Sequence, residues 1–156
     1  MFNAKYGDKK PVKLTGHWFV KLYGPDGSLK DETHGKNVIT ENGLEFLASF
    51  FNSAATAAST FTMRYVAIGT DATAEAASNT ALGAEGARIS GIVSYSSSAI
   101  YSVTATFPSG TGTGAIVEYG LFSSSTGGTM LSRDTEDVIN KGANDTLEVT
   151  TEITIG

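Results

Sequence analysis

Residues 146–155, T-L-E-V-T-T-E-I-T-I, alternate with a period of two. Leu147, Val149, Ile153 and Ile155 fall on one side, and Thr146, Glu148, Thr150, Glu152 and Thr154 on the other. Thr151 is the one polar residue on the apolar side. Such alternation excludes a helix, whose apolar positions recur every three or four residues. It describes a strand with one buried and one wet face, the signature of an antiparallel sheet.

The same pattern recurs along the chain. In residues 13–23, Leu14, Trp18, Val20 and Leu22 share a side. Gly24-Pro25-Asp26-Gly27 follows, with Pro presetting one turn position and Gly freeing the exit. The polar residues 28–36 are expected to return as a second strand, either at an edge or covered by another chain. Further strands are read at 61–69, 87–95, 100–107, 115–122 and 130–139. Ser96-Ser97-Ser98, the Gly-rich 108–114, the Gly127-Gly128 pair and residues 141–145 serve as turns. Residues 38–51 form the one helix candidate: Thr40 can cap it, and Leu44, Leu47, Ala48 and Phe51 make a stripe. Gly43 weakens that helix by up to ~1 kcal/mol relative to Ala, so the helix depends on docking. Residues 52–60 read as a loop. The sum is an all-β fold, an antiparallel β-sandwich of jelly-roll-like form with about eight strands and one short helix.

A chain of 156 residues suits one domain. With no cysteine, disulfides, thiol nucleophiles and Cys-held metals are excluded. No apolar run is long enough for a membrane helix, and residues 1–11 lack the apolar core of a secretory leader. A soluble protein made in the cytosol is expected, and the Asn144-Asp145-Thr146 sequon is read as incidental. Charge is unevenly spread. Residues 1–40 carry seven Lys and four acids, whereas residues 41–156 carry four basic groups and twelve acids. Residues 1–12 are therefore read as a basic arm that docks on an acidic partner through Lys5, Lys9 and Lys10, with 13–156 as the sandwich domain. The net charge of −5 argues against nucleic-acid binding.

Catalytic signals are weak. No phosphate-cradling loop and no G-x-S-x-G motif is present. His17 and His34 flank the first turn and could approach each other across the hairpin, where a metal would need a further ligand such as Asp31 or Glu32, but they read as surface or interface imidazoles. Asp134, Glu136 and Asp137 read as a solvated acidic rim. No cofactor or metal is expected. Glu118 sits mid-strand among apolar residues, so it should seek a cation, with Arg133 or Arg88 as candidates.

Several stretches taken in order carry a resemblance: Asn37-Val-Ile-Thr-Glu-Asn-Gly-Leu44, Ala67-Ile-Gly-Thr70, Thr80-Ala-Leu-Gly-Ala-Glu-Gly-Ala-Arg88, Glu118-Tyr-Gly-Leu-Phe122, Gly127-Gly-Thr-Met-Leu-Ser-Arg133 and Asn140-Lys-Gly142. Together they resemble a group of small structural proteins in the virions of tailed bacteriophages. The resemblance implies a particle component rather than an enzyme. A capsid decoration or cement protein comes first, with a collar, tail-fibre or tail adaptor role as the alternative. It implies a homo-oligomer, dimer or trimer, that meets other virion proteins, chiefly the major capsid protein. A carbohydrate-binding host-attachment module, using Trp18, Phe19, Tyr23, Tyr95 or Tyr101, is the reading from another class.

Within that pattern Glu85, Arg88, Glu118 and Arg133 are expected to form structural ion pairs. Glu118 with Arg133 across a hairpin is the favoured match. Asp71 stands where a further Gly is usual, which puts the local turn in question. Residues 70–82 have few apolar groups. They are read as a loop that becomes ordered only in the assembly, with Thr70, Asp71, Ala72, Thr73 and Leu82 as its contacts.

Overall fold

The structure, a computed structural model, describes residues 13–51 and 63–156, the side chains of Phe50 and Phe51 excepted. The expected arm 1–12 with Lys5, Lys9 and Lys10, the loop 52–60 and the Phe51 end of the helical stripe lie outside the described residues.

Among the described residues, nine antiparallel strands and one helix are formed. They are β1 (Leu14–Tyr23), β2 (Leu29–Ile39), α1 (Glu41–Phe51), β3 (Tyr65–Gly69), β4 (Glu85–Ser90), β5 (Ile92–Tyr95), β6 (Ile100–Phe107), β7 (Gly114–Phe122), β8 (Met130–Lys141) and β9 (Thr146–Ile155). They make a single sheet in the order β4-β3-β7-β8-β2-β1-β9-β6-β5. The strand expected at 87–95 is divided at Gly91 into β4 and β5, which lie at opposite ends of this order. The two ends therefore meet in one continuous segment, and the sheet is nearly closed.

The other corner is β2. It pairs with β1 from Leu29 to Asn37 and with β8 only at Val38 and Ile39. The β1–β2 hairpin turns at Gly27, whose φ of +79° disfavours a side chain. Asp26 Oδ1 fixes the turn by accepting from the Ser28 amide at 3.0 Å and hydroxyl at 2.7 Å.

Both halves of the sheet bury their apolar faces in one core. Val66, Ile68, Tyr119, Leu121 and Ile139 come from one half; Trp18, Val20, Val103, Phe107, Leu147 and Val149 come from the other. The Trp18 and Tyr119 rings meet across it with centroids 6.0 Å apart. In β9, Leu147, Val149, Thr151 and Ile153 are buried, whereas Ile155 is exposed.

The helix starts later than expected, because Val38 and Ile39 extend β2. Thr40 caps it, its Oγ1 accepting from the Gly43 amide at 3.0 Å and donating to the Met130 carbonyl. The docked face also differs. Phe46 and Leu47 pack on the core, while Leu44 and Ala48 are exposed. The reason is Gly43: it is buried, and a Cβ there would come within 2.7 Å of the Leu131 backbone. The glycine that weakens the helix lets it lie directly on β8.

Candidate functional site

Glu118 and Arg133 lie on adjacent strands, one step apart in register (Glu118 faces Thr135, and Gly120 faces Arg133). Both side chains point away from the main core, and both are almost fully buried. The cover is the connection between β3 and β4, residues 70–84. Arg133 Nη2 donates to Glu118 Oε2 at 2.8 Å and Nε to the same oxygen at 3.2 Å. That oxygen also accepts from the Gly83 amide at 2.8 Å, and Oε1 accepts from the Ala84 amide at 2.7 Å and the Asp71 amide at 3.3 Å. One carboxylate thus takes donors from both ends of the connection and from a buried guanidinium. A buried carboxylate needs such a set to offset its lost hydration.

The rest of the connection is tied down by its own chain. Asn79 Oδ1 accepts from Arg133 Nη1 at 3.1 Å and from the Ala76 amide at 2.7 Å. Thr135 Oγ1 donates to Glu75 Oε2, and the Glu41 amide donates to the Ala77 carbonyl at 2.8 Å. Asp71 closes a local turn by accepting from the Thr73 amide and hydroxyl, and these bonds hold its carboxyl below the usual range. Asp71, the residue that put the local turn in question, therefore makes the turn itself.

The sequence reading expected this loop to become ordered only in an assembly; within the chain it already has anchors. Polar groups anchored on Glu118 and Arg133 replace the missing apolar anchors. Leu82 is likewise not a free contact residue: at 8% exposure it packs with Ala67, Phe122 and Met130 beneath the loop. Thr70, Ala72 and Thr73 are exposed, and Asp71 is half-buried.

Of the pairings left open by the sequence, the structure makes Glu118–Arg133 and Glu85–Arg88. Arg88 Nη2 donates to Glu85 Oε2 at 2.6 Å and Nε to Oε1 at 2.9 Å. Its Nη1 donates to the carbonyls of Ser124 and Gly127, and the guanidinium sits 3.6 Å over the Phe122 ring. Arg88 thus ties β4 to the β7–β8 turn.

The supposed acidic rim is different in kind. Asp134 is 1% exposed and faces the core beside Tyr119, and Glu136 is half-buried. Burial, then the Glu136 and Glu75 carboxylates, push Asp134 up to about 7. Burial raises Glu136 and Tyr119 as well. His17 faces Lys36 and His34 faces Phe19, so the two imidazoles are not opposite each other. Among the described residues, no group of three or more His, Asp or Glu side chains is arranged to hold a metal ion. No helix among them is long and apolar enough to cross a membrane.

The second surface of interest is the outer face of β2-β1-β9-β6-β5. One row in register across it reads His34, Phe19, Thr150, Thr104 and Ile92. Thr150 and Thr104 hydroxyls bond at 2.9 Å. Phe19 and Ile92 are exposed, Ile92 at 78%. A groove beside Phe19 is lined by Lys21, Glu148, Thr150 and Glu152. Of the aromatics named for sugar binding, Trp18 is wholly buried, and the Tyr101 hydroxyl is committed to the Met63 carbonyl at 2.7 Å; Phe19 and Tyr95 remain exposed.

Comparison with protein families, with curated proteins and with solved structures finds no match.

The sequence reading missed Asn79 and took the buried Asp134 for part of a solvated rim. Asn79 sits in a run of small residues with no signal of its own. Asp134 could have been found, because it holds an inward position in the alternation that includes Ser132.

Proposed function

We propose that this chain is a non-enzymatic structural protein of a tailed-phage particle, acting as a capsid decoration or cement protein. The resemblance in the sequence supplies the particle. The observation that carries the docking role is the outer sheet face just described. It is broad and regular, set with Thr rows, alternating charges and the exposed Phe19 and Ile92. Such a face suits many modest contacts to a shell, which add through multivalency. We read the two halves of the sheet as the layers of a jelly-roll-like sandwich, a rigid block with the basic residues 1–12 reaching to an acidic neighbour. The protein then works in the virion as a homo-oligomer bound to the major capsid protein.

The test is occupancy on purified particles of the phage that encodes it. Decoration gives copy numbers on the order of hundreds by stained gel, whereas a collar or tail adaptor gives on the order of a dozen, as closed symmetry requires. Removing residues 1–12 should leave a folded protein that decorates shells poorly; full occupancy would remove the arm from the proposal. The Phe19 groove supports the carbohydrate-binding reading as second choice, and a glycan array without hits would discard it.

A further inference from the structure

Where β2 leaves β1 and meets β8, the sheet turns a corner. Only Val38 and Ile39 of β2 pair with β8. Beyond them, two β8 carboxyl groups approach Gly35 of β2. A Cβ built on Gly35 would lie 1.4 Å from Glu136 Oε1 and 3.0 Å from Asp134 Oδ2. Glycine at 35 is thus the space these carboxyls occupy. Asp134 Oδ2 is buried and receives no protein donor, and the buried Tyr119 hydroxyl and Trp18 Nε1 have no protein partner either. Two acceptor oxygens that crowd the space over one glycine, one of them buried, need a hydrogen between them.

We propose that Asp134 and Glu136 share one proton, and that this proton lets the two β8 carboxyls pack together over Gly35 at the corner between β2 and β8. The surroundings favour it. Glu75 on the β3–β4 connection and Asp137 on β8 oppose a second negative charge on the pair, and Asp31 on β2 acts on the neighbouring Tyr119, which is itself neutral. His34 on β2 is the one basic group acting on the pair, through Glu136. Arg133, next to Asp134 in sequence, is committed to Glu118 on the opposite face. Burial first, and then the Glu136 and Glu75 carboxylates, shift Asp134 up to about 7. When the proton leaves, two like charges meet in the space over Gly35, and the carboxyls must move apart at the corner where β2 meets β8.

The sign of the linkage follows. A carboxyl raised in the folded state binds its proton more tightly there than in the unfolded chain. Stability is therefore lost as pH rises from about 4, the unfolded value, to about 7, and levels off above that. Side-chain carboxyl carbons of the intact protein, followed by NMR from pH 3 to 9, should show Asp134 and Glu136 titrating together, one step well above the ordinary carboxylate range. Ordinary independent titrations of both would overturn the proposal. Asp134→Asn gives Glu136 a permanent donor, and Glu136→Gln gives one to Asp134. Either variant should flatten the fall in thermal midpoint between about pH 4 and about pH 7. An unchanged fall in both would also overturn it. So would a midpoint at pH 8 that millimolar Ca²⁺ raises in the native protein and not in Glu136→Gln, since the pair would then be a cation site.

Discussion

Replacing Glu118 by Gln would leave the buried Arg133 guanidinium with only the half-buried Asp71 carboxylate, 3.8 Å away, as counter-charge. Breaking such a pair from one side costs about 3–5 kcal/mol, and urea denaturation at pH 7 should show a loss of that size for Glu118→Gln. The double variant Glu118→Gln/Arg133→Met should recover part of it, because the stranded charge is gone. Gly69→Ala tests the same site by volume. Its Cβ would lie 2.3 Å from Glu118 Oε1 and 2.5 Å from the Ala84 carbonyl, so the carboxylate must shift. Overpacking of this kind costs about 1–3 kcal/mol, read in the same denaturation series. The sequence exposed the need for a partner at Glu118, because a charge between apolar neighbours cannot stay unpaired. It could not expose the three backbone amides that complete the site, since an amide has no letter of its own.

At the level of elements, the β3–β4 connection is held chiefly by polar bonds, with Leu82 as its apolar anchor. Its Gly83 and Ala84 amides should therefore exchange slowly in the isolated native protein. They should exchange fast in Glu118→Gln, where the anionic acceptor is lost. Slow exchange of both amides in that variant would show that the loop is braced elsewhere. The helix offers a second case. Thr40→Ala removes the cap and should cost about 1 kcal/mol, measured by thermal or urea unfolding. The strands were legible because alternation survives wherever one face is wet, as in β9 and β1. The helix face was misjudged because a stripe of Leu44 and Ala48 looks apolar in one dimension, while Gly43 sets the side that can approach β8. The division at Gly91 was also hidden: a strand that changes neighbours midway keeps its composition.

For the whole molecule, the charged groups set opposing demands on pH. Asp26, Asp71 and Asp145 are held below the usual carboxylate range, Asp145 chiefly by its bond from Lys30. Their contribution is present above the unfolded value of about 4 and is lost as pH falls through their folded values. Asp134 acts in the other direction above about 4. The thermal midpoint is therefore expected to peak in mildly acidic buffer, near about pH 4–5. A scan of midpoint against pH checks this, and a peak above neutrality would contradict it.

The position of β9 has a further consequence. It is the last strand in chain order, yet it lies between β1 and β6. A ribosome that has not yet delivered residues 146–155 exposes a β1–β2 hairpin and a β5–β6 hairpin with no common neighbour. Folding of the sheet must wait for that segment, through contacts that span most of the chain. The same gap makes a split protein feasible. A fragment ending at residue 145 should lack cooperative unfolding, and a synthetic 146–155 peptide supplied in trans should restore it.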